Sequence, residues 1–241
     1  MQSGLYVALS GQIALERRMA TIANNVANAG TVGFRAEETK FESVISRIPE
    51  RPASFAATDR SFLSERAGGF VKTGNPLDVA VRGQGYMAVQ TPAGTVYTRD
   101  GRMQLLQTGE LVSMNGHAIL DAGGAPILLD PNAGPPQIAH DGMITQKGRQ
   151  VGAIGLFSLD LTGSYSRYEN SGIVPKNPAT PILSFTADGF VQGFVEQANV
   201  NAVTEMTRLI MVTRAFESVA AAIGDSESSI KNAIQSLGPN S

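Results

Sequence analysis

Two apolar helical ends enclose a glycine-rich middle, and this layout limits what the chain can become more than any single motif does. From about Ser3 to Ala29, the residues Leu5, Ala8, Gln12, Leu15, Met19, Ile22, Val26 and Ala29 recur in alternating steps of three and four. That stepping is the seam of a helix facing another helix. From about Ala202 to Leu237, the residues Met206, Leu209, Thr213, Phe216, Ala220, Ile223, Glu227, Ile230, Ile234 and Leu237 continue it. Gln12, Thr213 and Glu227 interrupt the two seams. Gly30 and Gly33 end the first helix, and Gly238-Pro239 the second. Asn201 is positioned to cap the second helix, with Glu205 in its first turn to suit the dipole. Gly224-Asp225-Ser226 is a weak point where a bend is expected. Chain ends fray unless they are tied down. Two long terminal helices with apolar seams therefore need a partner: each other, other copies, or both.

Between the ends the pattern changes. Of the 26 glycines, 20 lie from Gly68 to Gly193, which marks turn-dense β structure. Strands are expected at Leu77–Val81, Tyr86–Thr91, Thr95–Thr98, Met103–Leu106, Leu111–Met114, Ile127–Leu129, Val151–Leu159 and Phe190–Val195. Turn signals such as Pro92-Ala93-Gly94, Asn115-Gly116 and Gly123-Gly124 separate them. Residues 36–74 fit neither class, with Pro49, Pro52 and a Ser/Ala-rich run. The expected fold is α+β. A coiled-coil-like antiparallel pair of terminal helices (1–35 and 199–241) accompanies a central barrel or sandwich (75–198) and an extended linker or arm (36–74).

Bulk properties narrow the function classes. A chain of 241 residues that is 42% hydrophobic can bury a core, and its net charge of -2 gives no basic surplus for nucleic acid. Cysteine is absent, so thiol catalysis, Cys-ligated zinc and disulfides are excluded within the chain. Met1-Gln2-Ser3-Gly4-Leu5 lacks the charged and apolar regions of a secretory signal. No stretch reaches the roughly 18 apolar residues of a membrane helix.

Candidate chemistry is sparse. Gly83-Gln84-Gly85-Tyr86-Met87-Ala88 matches a dinucleotide fingerprint, but a strand and turn follow where the mechanism needs a helix. His117 and His140 both adjoin glycine turns, and no Ser occupies a nucleophile elbow. Asp121, Asp130 and Asp141 lack calcium-loop spacing. No cofactor, metal or catalytic residue is expected. Asn24, Asn25, Asn28 and Asn199 read as local backbone caps at the inner helix ends, with bonding between subunits as a further option.

Several segments carry a family resemblance. Ala23-Asn24-Asn25-Val26-Ala27-Asn28 followed by Gly33-Phe34-Arg35 resembles the N-terminal signature of bacterial flagellar axial proteins. Thr73-Gly74-Asn75-Pro76-Leu77-Asp78-Val79-Ala80 with Gly83-Gln84-Gly85-Tyr86 resembles the entry to the β domain of rod and hook proteins. Tyr97-Thr98-Arg99-Asp100-Gly101, Gly109-Glu110-Leu111-Val112 and Asn115-Gly116 resemble its next hairpins. Glu196-Gln197-Ala198-Asn199-Val200-Asn201 through Glu205-Met206, then Arg214-Ala215-Phe216-Glu217, resembles the C-terminal signature. The length resembles the proximal rod members, with distal rod members as nearest rivals and hook members longer.

The resemblance implies a structural, non-enzymatic subunit of the flagellar basal-body rod. Its helices would form an inner tube around the export channel, with the β domain outside and residues 36–74 bracing adjacent subunits. Partners would be copies of itself, other axial proteins and, in transit, the flagellar type III export machinery, with no nucleic acid and no membrane insertion. The location implied is the periplasmic rod, reached without a cleavable signal peptide. The expected assembly residues are Leu5, Leu15, Met19, Ile22, Asn24, Asn25, Val26 and Asn28 on the first helix, and Gly33, Phe34 and Arg35 at the linker entry. On the C-terminal segment they are Asn199, Asn201, Glu205, Met206, Leu209, Arg214, Phe216, Glu217, Ile223 and Ile230. Two other classes compete: a β module binding glycan or peptide on a helical stalk, and a hydrolase with a dispersed site around His117 or His140.

Overall fold

The structure, a computed structural model, describes residues 2–45, 54–162 and 164–237. Pro49, Pro52 and the expected Gly238-Pro239 helix stop lie outside the described residues. The chain divides into two compact units. One holds the described residues of Met1–Ala27, Glu37–Phe62 and Asn201–Ser241, and the other holds Asn28–Ala36 and Leu63–Val200.

In the first unit, α1 (Gln2–Ala27) packs against the long C-terminal helix (Ala202–Leu237). Between them in sequence, β1 (Glu37–Ile45) and β2 (Ser54–Leu63) pair with one another, and β1 lies against α1. A two-stranded ribbon is marginal alone in water, so helix packing supports this one. The helices bury Ala14 and Ile22 on one side and Val212 on the other, while Thr213 Oγ1 donates to Met19 Sδ at 3.5 Å between them. Asn201 caps the C-terminal helix: its Oδ1 accepts the Thr204 N–H at 3.0 Å, and its carbonyl accepts that of Glu205 at 3.0 Å. No bend interrupts that helix at Gly224, which remains helical.

Asn25 corrects the capping expectation. Its side chain accepts the Glu37 N–H at 2.9 Å and donates to the Glu37 carbonyl at 2.8 Å. A carboxamide offers both a donor and an acceptor, so Asn25 pairs with the first residue of β1 like one rung of a ladder.

The second unit carries the remaining strands. They are β3 (Phe70–Lys72), β4 (Val79–Arg82), β5 (Tyr86–Thr91), β6 (Gly94–Thr98), β7 (Met103–Leu105), β8 (Leu111–Ser113), β9 (Ala118–Ile119) and β10 (Gln137–Ile138). Then follow β11 (Met143–Gln146), β12 (Arg149–Ala153), β13 (Leu156–Ser158), β14 (Tyr165–Tyr168), β15 (Gly172–Pro175), β16 (Thr180–Pro181), β17 (Gly189–Gln192) and β18 (Phe194–Glu196). The C-terminal helix is α2.

The largest sheet runs β14-β15-β6-β5-β9-β8-β7, with β13 also on β5 and β16 on β13. A second sheet is β10-β11-β12, and β17-β4 and β18-β3 form pairs. Every strand pairing with a described register is antiparallel, as hairpin connections allow. The main sheet stays open at β14 and β7, so no closed barrel forms among the described residues.

Inward residues of several sheets share one core that includes Val79, Val81, Met87, Leu111, Ile144 and Phe190. Three expected strands differ in extent. Ile127–Leu129 makes only a bridge, from Leu128 to Glu110. The run Val151–Leu159 breaks at Ile154-Gly155 into β12 and β13. The run Phe190–Val195 breaks at Gly193, whose φ of 76° is left-handed and sends the chain from the β4 partner to the β3 partner.

Candidate functional site

Within the second unit, three of the sequence signatures converge on one buried ion cluster. Arg99 follows β6 and Glu196 ends β18; both are 1% exposed, and Arg99 Nε donates to Glu196 Oε2 at 2.7 Å. The rest of the guanidinium is filled by main-chain carbonyls. Nη1 donates to Gly85 O at 2.5 Å, and Nη2 to Val81 O at 2.7 Å and Gly83 O at 2.9 Å. The Gly83-x-Gly85 motif therefore serves as a cradle for Arg99. Strand β5 follows it, so the pyrophosphate reading lacks its helix.

Glu196 Oε1 accepts the Gly68 N–H at 2.9 Å and faces Arg35 Nη2 at 3.0 Å. Arg35 Nη1 donates to the carbonyls of Glu65 and Arg66, while Arg35 Nε is buried without an acceptor among the described residues. Two guanidiniums thus share one carboxylate. Burial first, and Arg99 second, lower the Arg35 pKa from its ordinary value. Beside them, burial raises the Tyr86 phenol, and Arg99 lies 5.4 Å from the centre of its ring.

Main-chain bonds complete the junction. The Gly33 N–H donates to Glu196 O at 2.8 Å, and the Ala36 N–H to Asn199 Oδ1 at 2.6 Å. Asn199 Nδ2 returns to Arg66 O at 2.7 Å. Asn199 therefore ties segments together and does not cap α2 as expected. Phe34 is 1% exposed, and the Arg167 guanidinium stacks 4.5 Å over its ring while donating to Arg35 O at 2.6 Å.

Gly33 lies at φ 71°, and a Cβ there would stand 2.3 Å from Asp100 N. Gly33→Ala is expected to destabilise this unit by about 2 kcal/mol or more, from left-handed strain plus the clash with backbone. A lowered urea midpoint with an unchanged slope is the measurement; an unmoved midpoint would show that the 33–36 segment does not dock in solution.

The expected assembly residues on the helices divide by burial. Ile22, Asn25 and Glu205 are buried; Leu15, Met19, Asn24, Val26, Leu209, Phe216 and Ile223 are half-buried, as is Asn28 in the turn after α1. Asn201, Arg214 and Glu217 are exposed, and Met206 is 51% exposed. Leu5 and Ile230 lie within the helices, with side chains outside the described set. A second set was missed. Tyr6, Leu9 and Ile13 on α1, and Val203 and Ile210 with Met206 on α2, are exposed apolar residues. Each set falls at i, i+3, i+7, the one-face spacing of a helix, so the signal was present in the sequence beside the seam.

The polar groups once weighed for chemistry hold turns. His117 Nε2 lies 3.1 Å from Glu169 Oε1, and Asn115 Nδ2 donates to the same carboxylate. His140 contacts the carbonyls of Phe185 and Phe190. Asp121, Asp130 and Asp141 each accept N–H groups of their own turns. No group of three or more potential metal ligands occurs among the described residues. No helix among them is long and apolar enough to cross a membrane.

Comparison with known proteins follows the same geography. Residues 5–35 match the flagella basal body rod protein family, residues 80–146 the D1 domain of flagellar hook protein FlgE/F/G, and residues 191–236 the C-terminal region of flagellar basal body rod FlgEFG proteins. Both helices and the β region thus match, in chain order, families of flagellar rod and hook proteins. The chain is 52% identical to the flagellar basal-body rod protein FlgF of Mesorhizobium japonicum over 241 residues, the full length of both. It is 46% identical to that of Rhizobium meliloti over 238 residues, 99% of each. Against the flagellar basal-body rod protein FlgG of Bacillus subtilis it is 30% identical over 251 residues, 90% of this chain and 92% of that one. The chain belongs to the flagellar basal-body rod protein FlgF family.

Proposed function

We propose that this chain is a structural, non-enzymatic subunit of the flagellar basal-body rod that assembles through its terminal helices. Membership of the FlgF family supports the rod, and assembly with other rod and axial subunits follows from it. The observation that carries the mode of assembly is the exposed apolar stripe on each helix, at Tyr6, Leu9 and Ile13 and at Val203, Met206 and Ile210. Contiguous exposed apolar surface marks a place of association. In this reading α1 and α2 pair antiparallel as a coiled coil through Leu15, Met19, Ile22 and Val26 against Leu209, Phe216 and Ile223. Their remaining faces meet neighbouring axial subunits, either copies of this chain or other rod proteins.

The helices (1–35 and 199–241) then wall the export channel and the β region (75–198) lies outside them. Residues 36–74 brace adjacent subunits. Head-to-tail interfaces of this kind generate open helical assemblies, and torque passes from motor to hook through many packed contacts. The subunit leaves through the flagellar type III export machinery and assembles in the periplasm.

The test is genetic and biochemical together. Leu15→Asp or Phe216→Asp in the chromosomal copy is expected to remove the chain from isolated basal bodies and to abolish swimming. In the purified full chain the unfolding of the β region should be unchanged. A normally motile strain carrying either change would sink the helical mode of assembly.

A further inference from the structure

The buried cluster has an arrangement that stability alone does not favour. Arg35 and Arg99 are 2% and 1% exposed and share Glu196 as their acidic partner. Each of the three nitrogens of Arg99 has at least one acceptor, four in all. Arg35 is less well supplied: among the described residues its Nε has no acceptor and its Nη2 meets only the shared carboxylate, while its Nη1 reaches two carbonyls. Taking a second cation out of water against a carboxylate already engaged returns little free energy. Desolvation accordingly dominates the lowering of its pKa.

What Arg35 does provide is position. Its planar fork fixes Glu65 and Arg66 on one side and Glu196 on the other. Its own carbonyl is held by Arg167, while the Gly33 N–H is held by Glu196 O and the Ala36 N–H by Asn199 Oδ1. Residues 33–36 lead on from α1, and residues 196–199 lead into α2.

We infer that Arg35 is a positioning residue for assembly. It fixes, within the β unit, where residues 33–36 run beside residues 196–199, the two stretches that continue in sequence to α1 and α2. The inference rests on the helices being the assembly elements. It assigns to Arg35 a role in geometry that is separable from folding.

The separating variant is Arg35→Met. Methionine keeps the apolar stem, Glu196 keeps Arg99 and the Gly68 N–H, and Arg66 O keeps Asn199 Nδ2. The cluster then holds one cation and one anion. Arg35→Met is expected to unfold in the full chain at a temperature equal to or above that of the wild type. In the cell it should be absent from isolated basal bodies and non-motile, whereas the wild-type gene restores both. Arg35→Lys keeps the charge without the fork and should restore incorporation only in part. Wild-type incorporation of Arg35→Met would overturn the positioning role, and so would a large drop in its unfolding temperature, which would make Arg35 a residue of stability. Leu15→Asp runs alongside: if it is excluded while Arg35→Met incorporates, the positioning role alone has failed, and if both incorporate normally, the helical assembly reading has failed and the positioning role with it.

Discussion

Replacing Glu196 with alanine is expected to destabilise the β unit by about 3–5 kcal/mol, the range for stripping a buried ion cluster of one partner. The change leaves two guanidiniums, at 2% and 1% exposure, with no counter-charge. It also leaves the Gly68 N–H without its acceptor. Neither arginine has an easy escape. Arg99 is enclosed by the carbonyls of Val81, Gly83 and Gly85, and Arg35 by those of Glu65 and Arg66. Against the roughly 5–15 kcal/mol that hold an ordinary domain together, this loss brings the unit close to unfolding at ambient temperature. Equilibrium urea unfolding of the purified full chain is the measurement. Glu196→Gln should fall between, because the amide oxygen still accepts from Gly68 while the charge is gone. If Glu196→Ala unfolded at the wild-type midpoint, the cluster would be open to water in solution. The contrast with Arg35→Met is diagnostic: removing the anion strands two cations, whereas removing one cation leaves a matched pair.

What the sequence disclosed of this arrangement followed from range. Periodicity is local, so both helices were legible, and α2 begins and ends at the expected Ala202 and Leu237. The β5 strand, with its unbroken apolar run from Tyr86 to Val89, was legible for the same reason. Strands β1 and β2 were hidden because EETKFESVI and SFAATDRSFL mix charge with apolar residues and give no clean alternation. At Gly193 a single left-handed residue divides one apolar run between two partners, and nothing in the run itself declares which way the chain will turn.

The ion cluster is the extreme case. Arg99 and Glu196 stand 97 positions apart, and Arg35, Arg99 and Glu196 each appeared only as one letter in a separate signature. Read alone, a charged residue within three positions of a glycine or asparagine is a solvated turn. Only the fold reveals that the three signatures are contacts with one another. The asparagines misled for a related reason. Asn is as competent to bridge distant backbone as to cap its own helix, and Asn25 and Asn199 do the former while Asn201 does the latter.

The second large effect separates the two faces of the helices. Ile22 is 5% exposed and Ile210 is 55% exposed. Aspartate at Ile22 removes a buried side chain worth about 2–5 kcal/mol when truncated and sets an unpaired carboxylate in its place. The α1–α2 pairing should weaken in the purified chain, seen as loss of helical circular dichroism on mild heating, and the strain should not swim. Aspartate at Ile210 can turn its carboxylate to solvent in the lone chain, and surface changes of this kind move stability by about 0.5 kcal/mol or less. Its helical signal should therefore match the wild type. Within an assembled rod the same carboxylate would be pressed among apolar side chains of a neighbour, at a penalty of several kcal/mol per subunit interface, on the order set by burying a charge without a partner. Swimming should be lost and the chain should be missing from isolated basal bodies, with the protein still present and helical in the cell. A motile Ile210→Asp strain would mean that Val203, Met206 and Ile210 face solvent in the rod too, and that the contact between subunits is carried by α1 through Tyr6, Leu9 and Ile13 alone.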